Sequence, residues 1–272
     1  MHFISKKIIA VKLLRQTTLL LLLLISSAAI AGKPFRFVFL TDTHIDTSNP
    51  PSIEDAERAV ADINQLDSVG FVLVGGDVSD KGDVPSLRKA KEIFDKLKVP
   101  YYPVGGNHDF RWKHGDGETN FNMVFGDNKF EFKYNGFRFV GFSTAPEEHK
   151  NEGHVLEHNI EWLKVTLKKS GHKKPVFIIT HYPLQKGDVD NYKKAMEVLS
   201  KYNVQAILNG HYHRNLFLNC SGIPSVVMRS ALRGDKQNGG YTLLEVADSL
   251  NVYEKRIGKP QQLWIQVPLT KK

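Results

Sequence analysis

The chain has 272 residues, 41% of them hydrophobic and 24% charged, with 21 Gly, 12 Pro and a single Cys. This balance excludes intrinsic disorder, collagen-like repeats and a disulfide scaffold, and describes an ordinary globular chain. The net charge of +8 is no nucleic-acid signature, because Lys6, Lys7, Lys12 and Arg15 carry half of it and leave +4 for the remainder.

Residues 1–31 have a basic start, an apolar run from Leu19 and small residues at Ala29 and Ala31. That order is the pattern of a secretory signal peptide, with cleavage expected before Gly32. The apolar stretch from Leu19 to Ala31 is shorter than the ~20 residues of a membrane-spanning helix. The expectation is therefore a signal at 1–31 and one domain at 32–272, exported to a periplasmic or extracellular space, with no membrane association after cleavage. A retained N-terminal anchor is the alternative. An unpaired thiol suits such a compartment when it is buried, and Cys220, in the run Leu216–Cys220, is read as a packed core residue.

Along the rest of the chain, apolar runs alternate with helical periodicity. Phe35–Leu40 reads as a buried strand. Ser52, with Asp55 three residues on, reads as a helix start, followed by Ile53, Ala56, Ala59, Val60, Ile63 and Leu66 on one face. Phe71–Val74 is a second strand. Pro85 opens a helix carrying Leu87, Ala90, Ile93, Phe94 and Leu97, and Tyr101–Val104 is a third strand. Runs 129–134 and 137–142 flank Asn135-Gly136, a strong hairpin signal. A helix is expected near 157–169, a strand at 176–179, a helix face at Tyr192, Ala195, Met196 and Leu199, and a strand at 204–208. The tail to Leu269 reads as β-rich, with turns at Ser221-Gly222 and Gly239-Gly240. No repeat or linker interrupts it, so one α/β domain is expected.

Five of these strands end in ligand-type residues: Thr41-Asp42-Thr43-His44, Gly75-Gly76-Asp77, Gly105-Gly106-Asn107-His108-Asp109, Thr180-His181 and Asn209-Gly210-His211-Tyr212-His213. The carboxyl edge of an open α/β sheet is where ligands bind. A lone Asp-x-His after a strand is more often a turn or a cap, but five of the eleven His fall at these strand ends together. Carboxylates and imidazoles gathered at one edge need a cation, because the carboxylates otherwise repel one another. Eight oxygen and nitrogen donors exceed the needs of one transition metal and match two ions ~3.5–4 Å apart. With no thiolate, the donor set suits two divalent or trivalent ions of Mn, Fe, Zn, Ni or Co without choosing among them.

In that order the five blocks resemble the calcineurin-like metallophosphoesterase superfamily, over residues 35–215. The resemblance implies a four-layer αββα sandwich with a dinuclear metal site at the carboxyl ends of the strands. It implies that Asp42, His44 and His213 hold one metal, that Asn107, His181 and His211 hold the other, and that Asp77 bridges them. It further implies that a metal-bridging hydroxide attacks phosphorus, with His108 assisting the leaving group and Asp109 steadying His108.

Purple acid phosphatases of the same superfamily carry a tyrosine ligand three residues after the bridging Asp, where this chain has Asp80. The Asp-x-His form is more similar to bacterial cyclic-nucleotide phosphodiesterases and related phosphoesterases, as is Gly153–Leu156 leading into Glu161-Trp162-Leu163. An exported enzyme, however, points to scavenging of small phosphoesters. A small-molecule phosphoester is therefore the expected substrate, with 3',5'-cyclic nucleotides as the specific alternative and an exported nuclease as the weaker one. Loops 110–128, 144–156 and 229–240 are expected to supply substrate contacts. Arg111, Trp112, His114, His154, Arg229 and Arg233 are the candidates there. Nucleic acid is not expected as a partner, since no basic-aromatic stripe is evident.

Overall fold

The computed structural model describes residues 33–110, 117–145, 152–234 and 239–270. Residues 1–31, Arg111, Trp112 and His114 lie outside them. The described strands are β1 (Phe35–Leu40), β2 (Val69–Val74), β3 (Tyr101–Pro103), β4 (Lys129–Tyr134), β5 (Phe137–Phe142), β6 (Val176–Ile179), β7 (Val204–Asn209), β8 (Leu216–Cys220), β9 (Ile223–Val227), β10 (Gly240–Val246), β11 (Ser249–Arg256) and β12 (Gln262–Pro268). The helices are α1 (Pro50–Ile63), α2 (Val84–Phe94), α3 (Asn107–Phe110), α4 (Gly117–Phe125), α5 (Glu157–Ser170) and α6 (Tyr192–Leu199). Among the described residues no helix is long and apolar enough to cross a membrane.

The strands form two six-stranded sheets, in the orders β12-β11-β10-β1-β2-β3 and β4-β5-β6-β7-β9-β8. Side chains alternate across each strand, so each central strand feeds two cores at once. On β1, Phe35, Phe37 and Phe39 face the layer between the sheets, while Val38 and Leu40 face the helices. On β6, Phe177 and Ile179 point between the sheets, and Val176 and Ile178 point to the other helical layer. Strands covered on both faces read as unbroken apolar runs. The inter-sheet layer is rich in rings: Phe37 stacks on Phe71 at 5.0 Å between centroids and Phe139 on Phe177 at 5.3 Å. Helices α1, α2 and α4 cover one sheet and α5 and α6 the other, which completes the expected αββα sandwich. Among the described residues, all three apolar clusters are built from positions 35–269.

The Asn135-Gly136 hairpin forms as expected, with φ of 47° and 83° and β4 paired antiparallel to β5. Two expectations are corrected. The first concerns α1, which starts at Pro50 with Asn49 as its cap, not at Ser52. Prolines tolerate the first helical turn because its N–H groups have no partner within the helix. Asp55 is not part of a capping box; it accepts from the Arg233 N–H and guanidinium instead. The second concerns segment 110–128, which is not all loop: α4 packs there through the fully buried Phe121.

Parallel pairing of β1 with β2, β2 with β3, β5 with β6 and β6 with β7 puts the carboxyl ends of β1, β2, β3, β6 and β7 along one edge. The ligand-type residues sit there.

Candidate metal centre

Five polar residues at this edge occupy the left-handed backbone region: Asp42 (φ 53°), His44 (42°), Asp77 (47°), His211 (74°) and His213 (54°). For L-residues this conformation costs about 1–2 kcal/mol each, and such strain collects where function needs it. Tertiary hydrogen bonds hold the strained loops. Asp42 N–H donates to the Gly76 carbonyl at 3.0 Å and His44 N–H to the Asp77 carbonyl at 3.0 Å. The Thr43 hydroxyl donates to the Val78 carbonyl at 2.8 Å and the Ser230 hydroxyl to the Asp42 carbonyl at 2.8 Å. Gly106 is required beside them, because a Cβ there would land on the Asp77 carboxylate.

These loops bring the expected residues together. Asp42, His44, Asp77 and His213 offer ligand atoms within 4.8 Å of one another, as do Asp77, His181 and His211, so Asp77 belongs to both sets. One Asp77 oxygen accepts the His108 N–H at 2.8 Å. The other lies 3.2 Å from His181 Nε2 and 3.7 Å from His44 Nε2, between the two ligand sets. Asn107 Oδ1 lies 3.1 Å from His181 Nε2 and 3.2 Å from His211 Nδ1. Asp42 Oδ1 lies 3.2 Å from His213 Nε2. The outer hydrogen bonds orient the rings: His181 Nδ1–H donates to the Gly75 carbonyl at 2.8 Å, and His44 Nδ1 faces Asp80 Oδ1 at 3.3 Å. Each ring thereby turns the lone pair of Nε2 inward, as metal-ligating imidazoles do. Seven hard and borderline donors with no thiolate fit two transition-metal ions.

The electrostatics agree. Burial alone would raise the Asp77 carboxyl, but the imidazoles of His181, His44 and His108 overcome it and hold the group well below the usual carboxylate range. Burial, and then the charge of His181, hold His211 down at about 4, so it is a neutral imidazole at pH 7. Asp109 is pushed up to about 6 by burial and by the Asp77 charge.

The expected partnership of Asp109 with His108 is corrected. The Asp109 carboxylate accepts from the Val78, Ser79 and Gly106 N–H groups at 2.8–3.0 Å and from the Ser79 hydroxyl at 2.9 Å, which ties the β2 loop to the β3 loop. Beside the His108 ring stands Asp80. Its carbonyl accepts from His108 Nδ1 at 2.8 Å, and its carboxylate lies 3.4 Å from the same nitrogen. A short loop and α3 aim side chains on opposite sides of the backbone, so the residue next in sequence to His108 is not next in space.

A cavity of about 330 Å³ opens over the centre, lined by His44, Asn49, Ser52, Asp80, His108, His213 and Leu232. None of the described substrate candidates lines it. Arg229 pairs with Glu254 at 3.0 Å, Arg233 with Asp55 at 2.6 Å and Glu54 at 3.0 Å, and His154 with Asp190 at 2.7 Å. Each of these side chains is met by a carboxylate from a distant segment. Sequence reasoning missed the lining residues Asn49 and Leu232. It also missed Asp188, whose carboxylate accepts from the Tyr212 hydroxyl and so anchors the His211–His213 loop. The only signal for Asp80 was its place three residues after Asp77.

Residues 35–215 match the profile of the family described as calcineurin-like phosphoesterase. A probable glycerophosphodiester phosphodiesterase GpdQ of Arcobacter nitrofigilis is 27% identical over 195 residues, covering 65% of this chain and 71% of that protein. A probable cyclic nucleotide phosphodiesterase of Ruthia magnifica is 24% identical over 192 residues, covering 65% and 78%. In fold, the chain is similar to a dimetal phosphatase from Danio rerio, with a TM-score of 0.68 at 15% identity, covering 87% of this chain and 99% of that one.

Proposed function

Because this chain belongs to the calcineurin-like phosphoesterase family, we propose that it is an exported, metal-dependent hydrolase of small phosphodiesters. The observation that carries the reading is the sharing of Asp77 by two ligand sets beside a cavity on which His108 stands. Asp42, His44, Asp77 and His213 would hold one ion, and Asp77, Asn107, His181 and His211 the other. When bound, the ions supply Lewis-acid charge that polarises phosphoryl oxygens and acidifies water.

The chain's own residues do the rest. His108 gives its Nδ1–H to the Asp80 carbonyl, which leaves Nε2 to carry a proton to the departing oxygen. The Asp80 carboxylate, 3.4 Å from the same ring nitrogen, helps hold the ring in that orientation. The buried Asp109 fixes the loops that carry Asp77 and Asn107. A cavity of about 330 Å³ suits a small diester, not a duplex. The phosphodiesterase names of the relatives support diesters over monoesters. The leader-like composition of residues 1–31 supports export.

The test compares hydrolysis of bis-p-nitrophenyl phosphate, p-nitrophenyl phosphate and 3',5'-cyclic AMP by Mn-loaded protein, with and without chelator. The bis-ester should turn over faster than the monoester, and chelation should abolish the activity until metal is restored. A preference for the monoester would remove the diesterase reading, and indifference to chelator would remove the metal. Secreted protein whose N-terminus is Gly32 is the expected result for export.

A further inference from the structure

The end of the domain opposite the metal centre is basic, and both ends of the described chain meet there. The Phe35 ring, at the start of β1, lies 5.1 Å from Tyr134 and 5.7 Å from Phe137, so the entry to β1 sits over the β4–β5 hairpin. Asn135 Nδ2 donates to the Lys33 carbonyl at 3.0 Å and pins the point where the preceding chain enters. Lys133, Arg138, Lys169 and Lys174 line a groove of about 420 Å³ beside that hairpin, and Lys173, next to Lys174 in the chain, is exposed. The C-terminal stretch returns to the same place. Thr270 N–H donates to Gln205 Oε1 at 2.8 Å, Gln205 Nε2 to Asn203 Oδ1 at 2.7 Å, and Asn203 Nδ2 to the Lys173 carbonyl at 3.0 Å. In the sequence Thr270 is followed by Lys271 and Lys272.

These lysines come from a hairpin, a helix end and the approach to β6, yet they share one face. Arg138 is neutralised by Glu131 at 3.3 Å. Among the described residues no ion pair involves Lys133, Lys168, Lys169, Lys173 or Lys174, whereas further along the helices Lys164 pairs with Glu161 and Lys194 with Glu157. The sequence immediately before Lys33 is the apolar stretch Leu19–Ala31.

We propose that this basic base is a docking surface for a bilayer with anionic headgroups, seating the domain with its metal centre turned away. Strands β1 and β5 have six residues each, so roughly 20 Å separates the base from the catalytic edge. That exceeds a Debye length of about 8 Å at physiological salt, and the lipid charge leaves the site unperturbed. Asp67, just before β2, and Asp248, in the turn between β10 and β11, are exposed acids at the same end, so the lysines outnumber the acids there without standing alone.

The experiment uses the chain expected after cleavage, Gly32–Lys272, which includes the whole compact unit Lys33–Lys272, in sedimentation with vesicles. Vesicles of phosphatidylglycerol and phosphatidylcholine in equal parts should bind it and pure phosphatidylcholine should not, with binding falling as salt rises. Lys133→Gln, Lys169→Gln and Lys174→Gln together should weaken binding about a hundredfold, at about fivefold per lysine. The triple variant should keep its melting temperature and its turnover of bis-p-nitrophenyl phosphate. Equal binding to both vesicles, no binding to either, or unchanged binding by the folded triple variant would overturn the proposal. So would release of the protein from vesicles by millimolar inorganic phosphate at constant ionic strength, which would mark a small-anion site instead.

Discussion

His44 and His213, 169 residues apart in the chain, present their Nε2 atoms to each other at 3.0 Å. Two imidazole lone pairs at that distance repel unless a proton or a cation lies between them. Metal binding should therefore stabilise the folded chain, by about 2.7 kcal/mol when free metal is a hundred times its dissociation constant. Thermal unfolding with Mn, with Zn and with excess chelator checks this. A melting temperature that does not move between metal and chelator would mean the cluster holds no ion.

His108 and Asp77 should fail in different ways. His108→Ala should lower turnover by ~10²–10⁴-fold, the usual range for a general acid, while bound metal measured by elemental analysis stays near wild type. Asp77→Asn should lose metal from both positions, because its carboxylate belongs to both ligand sets. Metal loss from His108→Ala would reassign that ring as a ligand.

Asp80 faces Nδ1 of both His44 and His108, at 3.3 Å and 3.4 Å. Carboxylates that orient metal-bound imidazoles typically matter by ~10–100-fold in metal affinity or activity. Asp80→Asn should fall in that range and Asp80→Ala should be worse, with metal titration separating the His44 effect from the His108 effect in the pH profile. If both variants match wild type in affinity and turnover, Asp80 is a bystander.

Arg233 should behave as a structural residue. Its guanidinium meets the buried Asp55 at 2.6 Å, and truncation leaves that carboxylate without its counter-ion. Arg233→Ala should lower the melting temperature while the KM for bis-p-nitrophenyl phosphate stays unchanged. A large rise in KM with unchanged stability would restore the phosphate-clamp role expected from the sequence.

Asp62 offers a pH test away from the metals. Its carboxylate accepts from Lys255 Nζ at 2.7 Å and from the Tyr241 hydroxyl at 2.7 Å. Burial opposes its ionisation, but the Lys255 and Tyr241 hydrogen bonds outweigh burial and hold its pKa below the ordinary value. A depressed carboxyl contributes stability above its unfolded pKa of ~3.9 and loses it as pH falls through the folded value. The gap in melting temperature between wild type and Asp62→Asn should thus be constant near neutrality and close below about pH 4. A gap that persists unchanged into acid would trace the effect to packing, not charge.

Much of the fold could be read locally. The runs at Phe35–Leu40, Phe71–Val74, Val176–Ile179 and Val204–Leu208 announce strands because burial on both faces leaves few polar positions in them, Arg36 and Gln205 being the exceptions. The Asn135-Gly136 turn announces its hairpin because few other pairs tolerate positive φ twice. The cap of α1 falls three residues before Ser52, which resembles one, because Pro50 and Pro51 make the first turn behind Asn49 with no side-chain cap hydrogen bond.

By itself the sequence determined the seven strands between Phe35 and Leu208 and the ligand-type side chains that follow five of them, since a strand and its next few residues are local matters of pattern, while it marked the five strands of the tail only as β-rich. Only the tertiary structure decided which carboxylate meets which cation. Asp80, not Asp109, stands beside His108, Glu254 and Asp55 occupy the two arginines, and lysines from three elements gather on one base. The reason is physical: hydrogen bonds and ion pairs form by distance, and the distance between segments far apart in the chain is set by how two sheets and their helices pack, of which short-range periodicity keeps no record.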